Sequence, residues 1–241
     1  MALIRIGTAG WTIPAALKPH FPGDGAQLDK YAARMNAVEI NSSFYRPHQR
    51  KTYERWAASV PEDFRFSVKL PRNITHERRL QDFEAPLARF LGETAGLGDK
   101  LGVILVQLPP SLAFDAVAAA ALFTALAGNA IACEPRHASW FGPEAEAMMT
   151  RHGVARVAAD PPRHREDGSP GGDRRVTYYR WHGSPRIYWS AYDDARLAAL
   201  ARTLRDEAQA WCIFDNTAAG AALDDALRLR AMGTKSKGAL Y

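Results

Sequence analysis

Eight short apolar segments recur along this chain, and helical periodicity fills most of the gaps between them. Short runs rich in branched and aromatic residues are typical of strands buried on both faces of a parallel sheet. Their alternation with helices predicts an α/β fold, and eight repeats predict a single TIM-like (β/α)8 barrel. The predicted strands are Ile4 to Ala9, Ala37 to Asn41, Arg65 to Leu70, Gly102 to Leu108, Ala130 to Glu134, Ala155 to Asp160, Val176 to His182 and Trp211 to Asn216.

One gap departs from this alternation. Residues 161–175 (PPRHREDGSPGGDRR) are too rich in proline, glycine and charge for a good helix. The barrel is therefore expected to be irregular, with its sixth helix missing or replaced by a mobile loop, which is either a lid over the rim or plain surface disorder. The length of 241 residues suits one barrel, so we expect a single domain over residues 1–241 with a flexible tail over residues 234–241.

Charge and cysteine content limit the partners and the compartment. The net charge of +5 permits an anionic partner, but the basic residues are spread along the chain, so nucleic acid is an open alternative that is not favoured. Cys133 and Cys212 fall in predicted strands without metal-ligand spacing, which indicates buried thiols in a reducing cytoplasm. No export signal fits before the first strand, and Gly128 breaks the uncharged run that follows Asp115, so no membrane association is expected.

Polar and ionisable residues follow nearly every apolar segment at the point where the strand ends. In barrels of this kind the active site lies at the carboxyl ends of the strands. Side chains two apart on a strand point the same way, as Glu39 and Asn41 do, or Arg180 and His182. We therefore expect one cluster around the barrel mouth, formed by Glu39, Lys69, Gln107, Glu134, Arg180 and His182.

The predicted roles divide into proton transfer and anion binding. His182, Glu134 and Glu39 are the candidate catalytic residues, since imidazole titrates near neutrality and burial shifts carboxyl groups. Arg180 and Lys69 are expected to hold an anionic small-molecule substrate. The other candidate substrate-binding residues are Arg136, His76, Asn41, Gln107, Asp215, Asn216, Trp140 and Tyr45.

Two alternatives stay open for the same cluster. One is a purely structural network, in which Glu39 or Glu134 pairs with Lys69 or Arg180 because unpaired buried charges are costly. The other is a divalent metal ion acting as a Lewis acid, for which the ligands would be Glu39, Glu134, His182 and Asp215. No cofactor or metal is predicted, because basic residues already supply positive charge in this region.

Seven short motifs stand at or near the ends of the predicted strands. They are GTAGW (7–11), EINSSFY (39–45), the proline, arginine and ITH of residues 71–76, VQLPPS (106–111), EPRHASW (134–140), YRWHG (179–183) and FDNT (214–217). In this order they resemble the DUF72 family, also called the YecE-like family, over most of the chain. The resemblance implies a TIM-barrel-like fold and no particular reaction. Asp215 stands where the family often has an asparagine, which makes Glu39 and Glu134 the better acid or base candidates.

Three functions remain open. The first is an enzyme with acid–base chemistry of the hydrolase or lyase type, acting on a phosphorylated or otherwise anionic small substrate. The second is a non-catalytic module that binds single-stranded nucleic acid or nucleotides through arginines and stacked aromatic rings. The third is a glycoside hydrolase in which Glu39 and Glu134 form the carboxylate pair. No nucleotide-binding glycine motif follows a strand, which argues against a dehydrogenase or a P-loop kinase.

Overall fold

The computed structural model describes residues 3–164 and 168–234. Strands occur in this part of the chain at each of the eight predicted places, within two residues of the predicted ends except where the sixth is divided. Their continuous apolar character marks them as buried on both faces. The strands are β1 (Leu3–Thr8), β2 (Ala37–Ile40), β3 (Arg65–Lys69), β4 (Leu101–Gln107), β5 (Ile131–Glu134), β6 (Val154–Arg156), β7 (Ala158–Asp160), β8 (Gly171–Gly172), β9 (Thr177–Trp181) and β10 (Gln209–Phe214).

Helices connect most of the strands. The Asp115 carboxylate caps α4 by accepting from the backbone N–H groups of Val117 and Ala118, and Asp193 caps α6 by accepting from that of Arg196. Short 3-10 or π turns precede or follow several of the helices. The helices are α1 (Gln27–Ala32), α2 (Arg50–Ala58), α3 (Glu84–Thr94), α4 (Ala116–Ala125), α5 (Pro143–Arg151), α6 (Asp194–Arg205) and α7 (Ala221–Thr234).

The strands form two sheets. One sheet has the order β1-β10-β9-β7, and the other has the order β2-β3-β4-β5-β6-β8. Neighbouring strands run parallel, apart from β8, which pairs antiparallel with β6. The chain therefore has an α/β fold with mixed sheets, and the parallel strands of each sheet end at a common edge.

The prediction of one continuous sixth strand over Ala155 to Asp160 is wrong. β6 pairs with β5, whereas β7 pairs with β9 of the other sheet, and Val157 separates the two. The backbone N–H of Val157 donates to the Cys133 carbonyl oxygen at 2.8 Å, and its side chain is buried. The strand is interrupted here because the chain passes from one sheet to the other.

The Asn36 side chain connects β1 to the start of β2. Its Oδ1 accepts from the backbone N–H of Ile6 at 2.9 Å. Its Nδ2 donates to the Ile4 carbonyl oxygen, also at 2.9 Å. One amide side chain thus satisfies a donor and an acceptor that a neighbouring strand would otherwise satisfy.

The Tyr31 hydroxyl continues this connection. It accepts from the Thr8 backbone N–H at 2.9 Å and donates to the Ala37 carbonyl oxygen at 3.0 Å. Further along, a backbone bridge joins Ala9 to Glu39. β1 and β2 are therefore held side by side mainly through side chains.

Two apolar clusters lie in the molecule. The larger one includes the buried faces of the helices, while the smaller one is Ala37, Val103, Leu105, Ala132, Val157, Tyr178, Trp211 and Ile213. Strands of both sheets contribute to this inner cluster. Because side chains alternate, Glu134 and Asp215 continue the inward face two residues beyond Ala132 and Ile213, as predicted.

The irregular segment after β7 has no helix within its described residues, 161–164 and 168–175. The short strand β8 lies there instead, against β6. Residues 165–167 of the expected mobile loop, and residues 235–241 of the expected tail, lie outside the described part of the chain. Cys133 and Cys212 are buried free thiols, as predicted. Among the described residues, no helix has the length and apolar character needed to cross a membrane.

Candidate functional site

Arg180 on β9 is the centre of a buried ionic cluster. Its side chain is fully buried. Nε and Nη2 donate to the two carboxylate oxygens of Glu39 at 3.0 and 2.7 Å. Nη1 donates to Glu134 Oε2 at 2.7 Å, and Nη2 also donates to Asp215 Oδ2 at 3.1 Å. These charge-assisted bonds occupy all three nitrogen atoms of the guanidinium group and fix its plane.

Strand alternation explains why these groups meet. Glu39 lies in β2, Glu134 ends β5, and Asp215 follows β10. Gln107 ends β4 and lies in register with Glu134. The structure thus brings together Glu39, Glu134, Arg180 and Asp215 at the carboxyl ends of strands from both sheets.

His182 closes the cluster on the side of Glu134. Its Nε2 lies 2.8 Å from Glu134 Oε1, and its Nδ1 lies 3.0 Å from Asp215 Oδ2. Burial alone would lower the pKa of His182, but the charge of Glu134 and hydrogen bonds to Asp215 and Glu134 raise it. A protonated ring donates from both nitrogen atoms, which suits its position between two carboxylates.

Glu134 and Asp215 are held in the ionised form by neighbouring cations. Burial alone would raise the pKa of Glu134, but Arg180, Arg136 and His182 keep it well below its ordinary value. The pKa of Asp215 is likewise lowered against the effect of burial, by Arg180 and His182. Arg136 reaches Glu134 Oε1 with Nη2 at 2.9 Å. With His182 protonated, the three carboxylates are balanced by two guanidinium groups and one imidazolium.

Tyr178 and Ser67 lie beneath this cluster and were not predicted as site residues. The Tyr178 hydroxyl donates to Glu39 Oε2 at 3.0 Å and lies 2.8 Å from Ser67 Oγ. Strand alternation could have indicated both residues. Tyr178 stands two residues before Arg180 on β9, and Ser67 stands two residues before Lys69 on β3, so each pair points the same way. They anchor Glu39, which is fully buried and has both oxygens on Arg180. This geometry does not favour Glu39 as one half of a glycosidase carboxylate pair.

Lys69 differs from the other ionic groups because it has no counter-ion within 4 Å in the described part of the chain. Its side chain is 5% exposed, and its Nζ lies 4.1 Å from the centroid of the Phe44 ring. Burial and the nearby charge of Arg180 lower the pKa of Lys69 to about 8, although Glu39, Glu134 and Asp215 act in the opposite direction. Lys69 therefore adds a positive charge that the cluster does not balance.

His76 is a neutral neighbour of Lys69. Burial, together with the charges of Lys69, Arg72 and Arg136, lowers the pKa of His76 to about 4. Its Nδ1 lies 2.8 Å from the Thr75 hydroxyl oxygen. At neutral pH this ring is uncharged and can take part in hydrogen bonds.

Three polar atoms of the predicted site residues are buried without a hydrogen-bond partner in the described residues. They are Arg136 Nε, Asn41 Oδ1 and Asn216 Oδ1. Buried polar groups in folded proteins are nearly always paired, so each such atom requires an explanation. These atoms leave hydrogen-bonding capacity unfilled among the predicted site residues.

Three predicted substrate-binding residues lie apart from the cluster. Trp140 is fully buried, and its Nε1 donates to the Leu112 carbonyl oxygen at 3.0 Å. Asn216 is buried and donates to Ser190 and Asp225. Tyr45 is 69% exposed and lines a cavity together with Phe44. The first two have structural partners.

The four residues proposed as metal ligands in the second alternative take part in ion pairs within the protein instead. Glu39, Glu134 and Asp215 surround Arg180, and His182 bridges two of them. Within residues 3–164 and 168–234, no group of three or more His, Cys, Asp or Glu side chains is arranged to hold a metal ion. The donor set is thus committed to cations of the protein itself.

One cavity adjoins the cluster, and a second lies beside Phe44. The first has a volume of about 30 Å³ and is lined by residues that include Glu134, Arg136 and His182, which leaves room for about one or two water molecules. The second has a volume of about 260 Å³ and is lined by residues that include Phe44 and Arg72. Lys69 contacts Phe44, which lines the second cavity, and Lys69 is not itself among the residues that line either cavity.

The raised pKa of His182 predicts a pH dependence of stability. Its contribution is fully present below the unfolded histidine pKa of about 6.5 and is lost as the pH rises through the folded value. A difference of one between the two pKa values corresponds to about 1.4 kcal/mol. We expect urea denaturation between pH 6 and 8 to show a larger fall in the free energy of unfolding for the wild type than for His182→Asn.

A matched control for this experiment is His20→Asn, because His20 is exposed. This variant should keep the pH dependence of the wild type. Identical pH dependence in the wild type and His182→Asn would contradict the assigned ion pairs.

Parallel strands that end in a shared ionic cluster define an α/β protein with its candidate site at the carboxyl ends of the strands. The chain belongs to the DUF72 family, described as "Protein of unknown function DUF72", whose sequence profile matches residues 5–239. The predicted resemblance is confirmed. The chain is 26% identical over 213 residues to the UPF0759 protein YunF of Bacillus subtilis, covering 80% of this chain and 75% of that protein. It is 29% identical over 107 residues to the UPF0759 protein YecE of Escherichia coli, covering 44% and 38%.

Solved structures share the fold. A DUF72 family protein from Enterococcus faecalis superposes with a TM-score of 0.83 at 21% identity, covering 99% of this chain and 98% of that one. A DUF72 family protein from Thermotoga maritima superposes with a TM-score of 0.78 at 22% identity, covering 95% of this chain and 98% of that one. A xylose isomerase-like TIM barrel/4-hydroxyphenylpyruvate dioxygenase fusion protein gives 0.53 at 15% identity, covering 95% of this chain and 42% of that one.

Proposed function

We propose that this protein is an enzyme that performs acid–base chemistry, of the hydrolase or lyase type, on a small anionic substrate at the carboxyl ends of its strands. The observation that carries the proposal is Lys69, a buried ammonium group without a counter-ion within 4 Å in the described part of the chain. Burying an unpaired charge costs several kcal/mol, on the order of the penalty known for single ions. An anionic substrate would supply the counter-charge.

The residues then divide into those that meet the substrate and those that hold them in place. Lys69 and Arg136 bind the anion, while His182 and Glu134 exchange protons with it. We assign Arg180 and Glu39 to positioning because both are fully buried, whereas Glu134 and His182 line the smaller cavity. A fixed ionic network of this kind keeps acidic and basic groups at set distances.

We infer that the two sheets close into one irregular TIM-like barrel that forms a single domain. Support comes from the two places where the sheets meet: the division of the sixth strand at Val157, and the contact between β1 and β2 at Ala9 and Glu39. The inner apolar cluster, shared by both sheets, fits the packed interior of such a barrel. Fold likeness to a protein described as a TIM barrel is further support. The two buried free thiols fit a cytoplasmic protein.

The proposal predicts stabilisation by an anionic ligand that depends on Lys69. A thermal-shift screen would use phosphorylated metabolites, dicarboxylates and nucleotides. A ligand at a hundred times its Kd stabilises the folded state by about 2.7 kcal/mol, which corresponds to a rise of about 5 to 10 °C in Tm for a protein of this size. We expect Lys69→Met to abolish the rise, and Lys51→Met, at an exposed position, to keep it.

Turnover separates an enzyme from a binding module. A ligand found in the screen would be incubated with the protein and its conversion followed by mass spectrometry. We expect conversion by the wild type and loss of conversion with retained binding in His182→Asn. A response that survives Lys69→Met would contradict the proposed site. If oligonucleotides alone bind, with steep salt dependence, the nucleic-acid alternative is correct.

A further inference from the structure

Lys69 and His76 both contact the aromatic ring of Phe44. The Lys69 Nζ lies 4.1 Å from the ring centroid, and the His76 ring packs edge-on with its centroid at 5.0 Å. Phe44 itself is 8% exposed and lines the larger cavity. One buried ring thus contacts both an amine and a neutral imidazole, and the same residue lines a space of about 260 Å³.

An amine in this position is a nucleophile as well as a cation. Nucleophilic lysines are found desolvated or next to another cationic group, since only the neutral amine attacks. Lys69 meets both conditions, being 5% exposed and electrostatically coupled to Arg180. With its pKa near 8, about one amine in ten is neutral at pH 7, against roughly one in 2,500 for an ordinary lysine.

We propose that Lys69 is the nucleophile of this site and forms an imine with an anionic aldehyde or 2-oxo acid. This rests on the proposed function and names its substrate class. The anionic group of the substrate would face Arg136, whose Nε is buried without an acceptor in the described residues. The carbonyl carbon would face the amine. Neither role requires Arg180, whose nitrogen atoms already donate to three carboxylates.

The step balances without a cofactor. The lone pair of Nζ attacks the carbonyl carbon, a C–N bond forms, and the carbonyl oxygen takes up a proton to give a carbinolamine. The nitrogen loses a proton to solvent, while His76 stays uncharged at neutral pH. The hydroxyl group then takes up a second proton and leaves as water, and the C=N bond forms. His182, whose pKa is raised, is the group on the Glu134 side of the site that donates protons to the oxygen.

Reductive trapping tests the proposal on the wild-type protein. The protein is treated with glyoxylate and cyanoborohydride at pH 7, where hydride reduction converts an imine to a stable carboxymethyl-lysine. Peptide mass spectrometry then gives the labelling rate of each lysine. We expect Lys69 to react at least about tenfold faster than the exposed Lys18 and Lys51, because far more of its amine is neutral. Equal rates, or labelling confined to the exposed lysines, would overturn the proposal.

A second ligand separates this proposal from the one on which it rests. Oxalate is also a small carboxylate anion but has no aldehyde or ketone carbon, so it tests anion binding alone. Thermal stabilisation by oxalate that is lost in Lys69→Met, without trapping of glyoxylate, would keep the anion site and reject the imine. Lys69→Arg keeps the charge, and we expect it to bind oxalate while the fast-labelling lysine disappears. Trapping at Lys69 that excess oxalate does not slow would reject the shared anion site.

Discussion

Replacing Arg180 with methionine is expected to lower the free energy of unfolding by about 3 to 5 kcal/mol. The change removes hydrogen bonds of 2.7 to 3.1 Å to Glu39, Glu134 and Asp215 and leaves these carboxylates buried around an apolar side chain. A buried charge without its partner is strongly destabilising, even where the intact pair contributes little net stability. Urea denaturation at pH 7 measures the loss.

Arg50→Met is the matched control for this variant. Arg50 pairs with Glu54 at 3.0 Å on the surface of α2, with both side chains more than half exposed. Pairs of this kind contribute about 0 to 1 kcal/mol. An Arg180→Met variant no less stable than Arg50→Met would show that the buried cluster is not built as described.

Replacing Gly7 with alanine is expected to cost about 3 kcal/mol, the upper part of the usual range for overpacking. A Cβ atom at Gly7 would lie far inside van der Waals contact with the backbone carbonyl of Ala37. This is the place where β1 and β2 lie side by side, held by Asn36 and Tyr31. The backbone would have to separate there, and Glu39 at the end of β2 would move with it. Thermal and urea denaturation measure the cost.

Gly92→Ala provides the opposite control. A Cβ atom at Gly92 meets no described heavy atom within 4 Å, and the residue is exposed in α3. Alanine in an exposed helix is more favourable than glycine by about 0.5 to 1 kcal/mol. We therefore expect the two variants to shift stability in opposite directions. A Gly7→Ala variant as stable as the wild type would contradict the close approach of β1 and β2.

The strand positions could be predicted because strands buried on both faces are short, apolar and bounded by polar residues. The division at Val157 could not, since one residue between two strands changes neither composition nor period. Whether a strand pairs with one sheet or the other depends on the approach of distant segments. The contact between β1 and β2 could not be predicted from the sequence either. It depends on the side chains of Asn36 and Tyr31, which replace backbone hydrogen-bond partners there.

The composition of the cluster was predictable, but its pairing was not. Alternation along each strand places Glu39, Glu134 and Arg180 on one face. It does not say which carboxylate reaches which cation, since that depends on distances between strands. Arg180 was expected to hold the substrate, whereas the structure surrounds it with carboxylates. The pairing alternative joined Glu39 or Glu134 to Lys69 or Arg180, and Arg180 pairs with both carboxylates while Lys69 lies on Phe44.

Aromatic residues near the rim show a similar limit. Trp140 was predicted to meet the substrate because it follows a strand end, but a short turn over Ala138–Phe141 buries it. Sequence position alone does not separate a ring that covers the core from one that faces a ligand. Phe44, which was one of several rim aromatics, is the ring that contacts both Lys69 and His76.

The charge state of Lys69 is the most direct test of the proposed site. Protein labelled with ¹³C at lysine Cε would be titrated by NMR, with the Lys69 signal assigned from its loss in Lys69→Arg. Burial and the charge of Arg180 predict a midpoint for Lys69 near pH 8. A midpoint at the ordinary lysine value of about 10.4 would mean that the amine is solvated or paired, and it would contradict both the anion site and the nucleophile.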